Sequence, residues 1–133
     1  MNFSYEDIGN FLGKVKDLVL RDEYTIYPTE KNNLLDLQYV ISEERKKNIL
    51  LSLEPDDFSE IRISNDEFFN GDILYIFGKE VPLLERYSSN NNISEVELYI
   101  KMDYLKEQTV CVVSFHKAEQ PMEYAFKEVN SNE

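Results

Sequence analysis

Three side chains in the C-terminal third of the sequence have types and spacing suited to proton transfer and phosphate binding. Tyr99 and Lys101 are separated by one residue, and His116 is the only histidine of the chain. Histidine exchanges protons near neutral pH, and lysine can offset the charge of a crowded phosphate. Tyrosine donates a hydrogen bond or stacks on a base. Together these groups could transfer a proton and stabilise the negative charge of a phosphate in its transition state.

The pattern around these residues predicts two neighbouring antiparallel strands. Residues 95–102 alternate between polar and apolar side chains, as a strand with one buried face does, and residues 109–115 are largely apolar on both faces. The short polar link between them suits a hairpin. We therefore expect the tyrosine, the lysine and the histidine around one accessible patch, within about 10 Å of one another. The residues expected in the core of the hairpin are Val96, Leu98, Ile100, Val110, Cys111, Val113 and Phe115.

The first part of the chain predicts three capped helices and a short strand. Ser4, with Asp7 three residues later, should begin a helix over residues 5–21. Thr29 and Ser42 should cap the second and third helices, the last with residues 43–47 on its solvent face. A short strand is expected at residues 23–27. Helices followed by strands predict an α+β fold, with N-terminal helices packed on an antiparallel sheet, in one domain over residues 1–128 and a tail over 129–133.

The middle of the chain predicts strands interrupted by turns. A strand is expected at residues 73–77, a turn at residues 78–80, and an edge or loop at residues 81–84 because Pro82 cannot donate a ladder hydrogen bond. A last short strand is expected at residues 122–126. An acidic segment connects the third helix to the strand at residues 73–77. The aromatic residues expected to anchor it are Phe58, Phe68 and Phe69.

Two other features could carry chemistry, but their surroundings favour structural roles. Cys111 lies inside an apolar run, as a small buried hydrophobic residue does. Asp56 and Asp57 follow a proline and lack the periodic carboxylates of a calcium loop, so they fit a turn or a cap better than a metal site. We therefore expect no metal and no cofactor.

Composition and charge limit the function classes. The chain has 133 residues and a formal net charge of −12, enough length for one domain with a real core. No stretch approaches the roughly 18–20 apolar residues of a membrane helix, and no signal-peptide pattern is present, so we expect a cytoplasmic protein. The acidity opposes nucleic-acid binding at long range. Residues 94–127, however, contain six acidic residues and four lysines, so this part is close to neutral.

The order of motifs resembles a known family. E-L-Y-I-K at residues 97–101, followed after a turn by V-C-V-V-S-F-H-K-A-E-Q-P-M-E-Y at 110–124, resembles the MqsR-type (motility quorum-sensing regulator) toxins of bacterial toxin–antitoxin pairs, above all their longer Gram-positive versions. The resemblance takes in F-L-G-K-V-K-D-L-V at 11–19, I-L-L-S-L-E-P-D-D-F at 49–58 and Y-I-F-G-K-E-V at 75–81. It implies a RelE-like fold, metal-independent mRNA cleavage, and a zinc-binding, DNA-binding antitoxin as partner.

The family's functional residues match this chain in part. Its tyrosine and lysine fall on Tyr99 and Lys101, and the basic residue after S-F in the final strand falls on His116. The family's lysine after the D-F element is replaced by Ser59-Glu60, and its glutamine in the middle strand by Ile76. Two functions therefore remain open, a toxin-like endoribonuclease and an acidic, non-catalytic inhibitor or immunity-type protein that binds a basic partner.

Overall fold

In the described part of the chain, three helices begin at the side-chain caps that the sequence predicts. The computed structural model describes residues 3–65, 67, 71–87, 89–106 and 108–126. The Ser4 hydroxyl accepts a hydrogen bond from the backbone N–H of Asp7, whose carboxylate accepts one from the backbone N–H of Ser4. Thr29 and Ser42 each accept a hydrogen bond from the first turn of their helices. The helices are α1 (Tyr5–Leu20), α2 (Glu30–Gln38) and α3 (Glu43–Ser52).

The described residues contain six strands, which form one curled sheet. The strands are β1 (Tyr24–Ile26), β2 (Tyr39–Val40), β3 (Phe58–Ile63), β4 (Ile73–Glu85), β5 (Ile93–Leu105) and β6 (Thr109–Lys117). The order of the strands is β1-β6-β5-β4-β2. β3 also pairs with β4, along a different part of that strand from β2. Every pair is antiparallel except β1 with β6, which is parallel. The α+β class is thus confirmed, with a mixed rather than purely antiparallel sheet.

One face of the sheet packs against the helices and forms the core of a single domain. The buried side chains of α1 and α3 meet those of β4, β5 and β6 there. Examples that are wholly inaccessible to solvent are Ile8, Leu50, Phe77, Leu98 and Ile100. The opposite face of the sheet carries the polar side chains of β5. Within the described ranges, no helix has the length and apolarity needed to cross a membrane.

The predicted β5–β6 hairpin is confirmed, with one irregularity. Lys101 pairs with Ser114, but Met102 pairs with Val112, so Val113 is an extra residue on β6. Such a bulge shifts the alternation of side chains by one position. Val112 consequently lies in the core and Val113 is only half-buried, whereas the other six predicted core residues are buried.

The predicted turn at residues 78–80 is wrong, because β4 continues through it. The strand pairs with β5 without interruption from residue 74 to residue 84. Pro82 is tolerated because β3 pairs with residues 73–77 and β2 with residues 84–85, which leaves no strand between them among the described residues. At this gap Arg45 donates a hydrogen bond to the Pro82 carbonyl at 3.2 Å.

The predicted solvent face of α3 contains one buried cation. Lys46 has a side chain only 6% exposed, and its ammonium group lies 2.9 Å from carboxylate oxygens of both Asp36 and Glu43. Helical periodicity could not reveal that Lys46 is buried, since its partner Asp36 belongs to α2 and reaches Lys46 only in the folded chain. The rest of α3 follows the pattern, with Ile49 and Leu50 inside.

The segment after β6 does not form the predicted strand at residues 122–126. It is an irregular strap, residues 118–126, that crosses the polar face of the sheet. Pro121 lacks an N–H group, and the strap's backbone bonds reach different elements instead, including a carboxylate of β5 and the Phe58 carbonyl of β3. Phe58 itself is buried, as expected. Phe68, Phe69 and the predicted tail at residues 129–133 lie outside the described residues.

Candidate active site

The β5–β6 register brings two of the predicted residues face to face. Tyr99 pairs directly with His116 across the two strands. Their rings are stacked, with centroids 5.3 Å apart and planes inclined by 14°. Lys101 follows two residues after Tyr99 and therefore lies on the same face of the sheet. The pair is a consequence of the register between the two strands, whereas the sequence predicts only that these residues lie around one patch.

All three predicted residues line one open cavity on the polar face of the sheet. Its volume is about 910 Å³, and the strap, α2 and β3 form its walls. The structure thus brings the three residues together, while their catalytic role stays a prediction. The lining residues are Thr29, Glu30, Lys31, Ser59, Glu60, Arg62, Tyr99, Lys101, Val113, Ser114, His116, Glu119, Gln120, Pro121, Met122 and Glu123.

A backbone contact orients the imidazole of His116. The Nδ1 atom lies 2.9 Å from the carbonyl oxygen of Lys117. A carbonyl oxygen only accepts hydrogen bonds, so Nδ1 carries the proton in this contact, and Nε2 of the neutral ring is left as the acceptor. The side chain is half-buried rather than enclosed in the core. His116 can therefore take up a proton through Nε2.

Lys101 is a half-buried cation in a positively charged environment. Burial lowers the pKa of its ammonium group, and the positive charges of Arg62 and Lys31 lower that pKa further. Among the described residues, no carboxylate oxygen lies within 4.0 Å of its ammonium nitrogen, whereas the other two cations have such partners. A desolvated cation without a counter-ion favours the binding of an anion.

Burial shifts the pKa of Tyr99 in the direction opposite to that of Lys101. Its half-buried position raises the pKa of the phenol, with smaller and partly opposing effects from nearby charges. A phenol with a raised pKa remains protonated at neutral pH, since its ordinary pKa is about 10. Tyr99 can therefore donate a hydrogen bond or stack on a ring, but it is unsuited to act as a base.

Arg62 and Lys31 are site residues that the sequence did not reveal. Arg62 lies on β3 and its guanidinium is 3.2 Å from Glu60, while the ammonium of Lys31 on α2 is 3.0 Å from Glu119 of the strap. The one signal for Arg62 is the alternation of residues 60–63, which fits a strand. Arg62 thus brings a cation from β3 to the wall of the cavity.

A buried asparagine explains how α2 comes to the cavity. Asn32 is 4% exposed; its side-chain NH₂ group donates to the carbonyls of Tyr27 and Val113, and its Oδ1 accepts from the N–H of Phe115 at 2.7 Å. These bonds satisfy the β6 backbone at the bulge, beyond the reach of β1. They fix α2 beside β6 and so hold the adjacent Lys31 at the rim.

One carboxylate of β5 makes two of the contacts that hold the strap against the sheet. Glu97 accepts a hydrogen bond from the backbone N–H of Met122 at 3.1 Å and from the phenol of Tyr124 at 2.6 Å. The side chains of Met122 and Tyr124 lie directly over Gly78, where a Cβ would be 2.4 Å from the Tyr124 hydroxyl. The absence of a side chain at Gly78 thus permits the strap to form one wall of the cavity.

The residues set aside as structural have structural surroundings. Cys111 is buried, and burial raises the pKa of its thiol, which disfavours the nucleophilic thiolate. The Asp57 carboxylate accepts a hydrogen bond from the N–H of Glu54 and pairs with Lys79 at 3.2 Å, so it closes a turn. Among the described residues, no cluster of three or more histidine, cysteine, aspartate or glutamate side chains is arranged to hold a metal.

Comparison of this chain with protein-family models, with curated proteins and with solved structures found no match. The MqsR-type resemblance therefore rests on the motifs in the sequence alone.

Proposed function

We propose that this chain is a toxin-like endoribonuclease that cleaves RNA by acid–base chemistry without a metal. The observation that carries the proposal is the environment of Lys101. This half-buried cation has no carboxylate partner among the described residues and lies beside a stacked tyrosine–histidine pair in an open cavity. A phosphodiester of the RNA backbone supplies the missing negative charge.

The reaction starts at the 2′-hydroxyl of the nucleotide in the cavity. His116 takes the hydroxyl proton through Nε2, and the 2′-oxygen attacks the adjacent phosphorus. The bond between phosphorus and the 5′-oxygen of the next nucleotide breaks. The products are a 2′,3′-cyclic phosphate and a free 5′-hydroxyl.

Lys101 has two roles in this scheme. Its positive charge stabilises the crowded phosphate of the transition state, and its ammonium group donates a proton to the departing 5′-oxygen. The lowered pKa of Lys101 makes its ammonium group a stronger acid than an exposed lysine. Arg62, paired with Glu60, can use its remaining N–H groups to donate a hydrogen bond to the same phosphate, and Tyr99 donates a hydrogen bond to it or stacks on a base.

The partner in this proposal comes from the resemblance alone. An endoribonuclease toxin acts on transcripts in the cytoplasm and is held inactive by its antitoxin. The MqsR-type resemblance implies an antitoxin that binds zinc and DNA. A neighbouring gene for a small protein with paired C-x-x-C motifs would support this partner, since such pairs are typical zinc ligands.

The net charge of −12 supports a second function, an acidic module that binds a basic partner without catalysis. In that function the surface carboxylates make the contacts, and the cavity has no chemical role. A neighbouring gene for a large secreted toxin would support an immunity-type protein. The two functions differ in what expression of the chain does to a cell.

Expression in a bacterial host that lacks the antitoxin separates the two functions. The nuclease function predicts growth arrest and shortened transcripts, and it predicts that His116→Ala relieves both. General acid–base groups contribute on the order of 10²–10⁴-fold to rates, enough to make the enzyme tolerable. Lys14→Ala, at an exposed position on α1, is the matched control and should stay toxic. Normal growth with intact RNA, from well-folded wild-type protein, would favour the acidic module.

A further inference from the structure

We propose that the cavity selects a phosphate group with one negative charge, a phosphodiester, over a phosphate monoester with two, because the described residues give it one cation without a carboxylate partner. This inference rests on the proposed function and narrows its substrate. The selection depends on the charge balance of the cavity and on the carboxylates that compete with the ligand for its cations.

Two of the three cations around the cavity already have a partner. The Lys31 ammonium lies 3.0 Å from the Glu119 carboxylate, which links α2 to the strap. The Arg62 guanidinium lies 3.2 Å from the Glu60 carboxylate of the same strand. The hydrogen bond from Lys31 lowers the pKa of Glu119, so this carboxylate is charged at neutral pH. Each of the two pairs is therefore neutral as a whole, and its cation already has a carboxylate beside it.

Lys101 is the third cation and differs from the other two. Its side chain is partly buried in the floor of the cavity, while those of Lys31 and Arg62 are about 60% exposed at the rim, at 61% and 62%. In the described part of the chain it has no carboxylate within 4.0 Å, which makes it the single uncompensated charge of this group. A monoanion at Lys101 balances that charge and leaves the two rim pairs intact.

Among the described residues that line the cavity, no further unpaired cation is present to receive a second negative charge on the ligand. That charge faces the Glu60 and Glu119 carboxylates, and Glu30 and Glu123 also line the cavity. At about 6 Å and an effective dielectric constant near 20, repulsion between two charges weakens binding about a hundredfold. The side chains of Glu60 and Glu119 are 49% and 69% exposed, and screening by water reduces the expected effect to roughly five- to tenfold.

A matched pair of ligands tests this selection. Each 2′-deoxynucleoside 3′-phosphate is compared with its methyl ester, for all four bases, by calorimetry or fluorescence at constant ionic strength. The two ligands share base and sugar, lack the attacking hydroxyl, and differ by one methyl group and one charge. At about pH 8 the methyl ester should bind five- to tenfold more tightly. At about pH 5 the preference should disappear, because a phosphate monoester loses its second charge below a pKa near 6.

Variants identify the residues responsible. Glu119→Gln releases Lys31 from its partner, so the cavity gains an uncompensated cation and the monoester should bind about as tightly as the methyl ester at about pH 8. Glu95→Gln removes an exposed carboxylate on β5 outside the cavity and should leave the preference unchanged. Lys101→Met should weaken both ligands by at least tenfold.

The outcomes separate this inference from the proposed function. If both ligands bind through Lys101 but the monoester binds equally or more tightly at about pH 8, the charge selection is wrong and the phosphate site stands. The same conclusion follows if Glu119→Gln and Glu95→Gln behave alike. If neither ligand binds to folded wild-type protein, both the phosphate site and the selection are refuted.

Discussion

Replacing Asp103 with asparagine should stabilise the protein at alkaline pH. Asp103 lies on β5, is 3% exposed, and its Oδ2 atom has no hydrogen-bond partner among the described residues. Burial, followed by the neighbouring Asp72 carboxyl group, raises the pKa of Asp103 to about 7. A carboxylate in this position is unfavourable, whereas an amide has nearly the same shape and no charge.

The sign and size of the effect follow from proton linkage. The native state binds the Asp103 proton more tightly than the unfolded chain, whose aspartate pKa is about 3.9. The contribution of Asp103 to wild-type stability should therefore be most favourable below about pH 4 and become less favourable as the pH rises towards about 7. Three pKa units correspond to about 4 kcal/mol. Because the neighbouring Asp72 is only half-buried and water near it screens the charge, we expect Asp103→Asn to gain roughly 2–4 kcal/mol at about pH 8.

Urea unfolding of wild type, Asp103→Asn and Asp72→Asn across pH 4–8 measures this directly. The Asp103→Asn curve should be flatter with pH than the wild-type curve, and the two should agree within about 1 kcal/mol near pH 4. Asp72→Asn removes only the repulsion and should recover part of the gain. A less stable Asp103→Asn protein at about pH 8 would mean that the carboxylate is ionised and well solvated in the native state, contrary to this reasoning.

Three further substitutions test the packing around the site by denaturant unfolding. Gly78→Ala places a Cβ 2.4 Å from the Tyr124 hydroxyl and should displace the strap, at a cost of about 1–3 kcal/mol; an unchanged stability would refute the close packing. Asp36→Asn should destabilise the buried Lys46 by about 1–2 kcal/mol, while Lys46→Met should stay within about 1 kcal/mol of wild type. A larger loss for Lys46→Met would show that the ion pair is stabilising. Ser4→Ala should lose about 1 kcal/mol of cap energy, and no loss would argue against the capping box.

The parts of the fold set by local chemistry could be predicted from the sequence. Side-chain caps at Ser4, Thr29 and Ser42 determine where the helices begin, because they satisfy backbone N–H groups locally. Alternation and a short link determine the β5–β6 pairing. That pairing in turn brings Tyr99 and His116 together, so this half of the site follows from strand register.

The parts that depend on distant contacts could not be predicted. Pro82 and Gly78 suggest a break, but β4 continues because the proline lies opposite a gap in the neighbouring strands and the glycine receives the strap. The bulge at Val113 is stabilised by a side chain of α2, which no local pattern indicates. Lys31 and Arg62 reach the cavity from two other elements, so their role depends on tertiary packing alone.

Cleavage of a single-stranded RNA by purified protein in the presence of a metal chelator tests the central claim most directly. Wild type should produce fragments that end in a 2′,3′-cyclic phosphate and begin with a 5′-hydroxyl. His116→Ala and Lys101→Ala should each lower the rate on the order of 10²–10⁴-fold, while Lys14→Ala should match wild type. Intact RNA, or cleavage that survives both site substitutions with the variants correctly folded, would contradict the account.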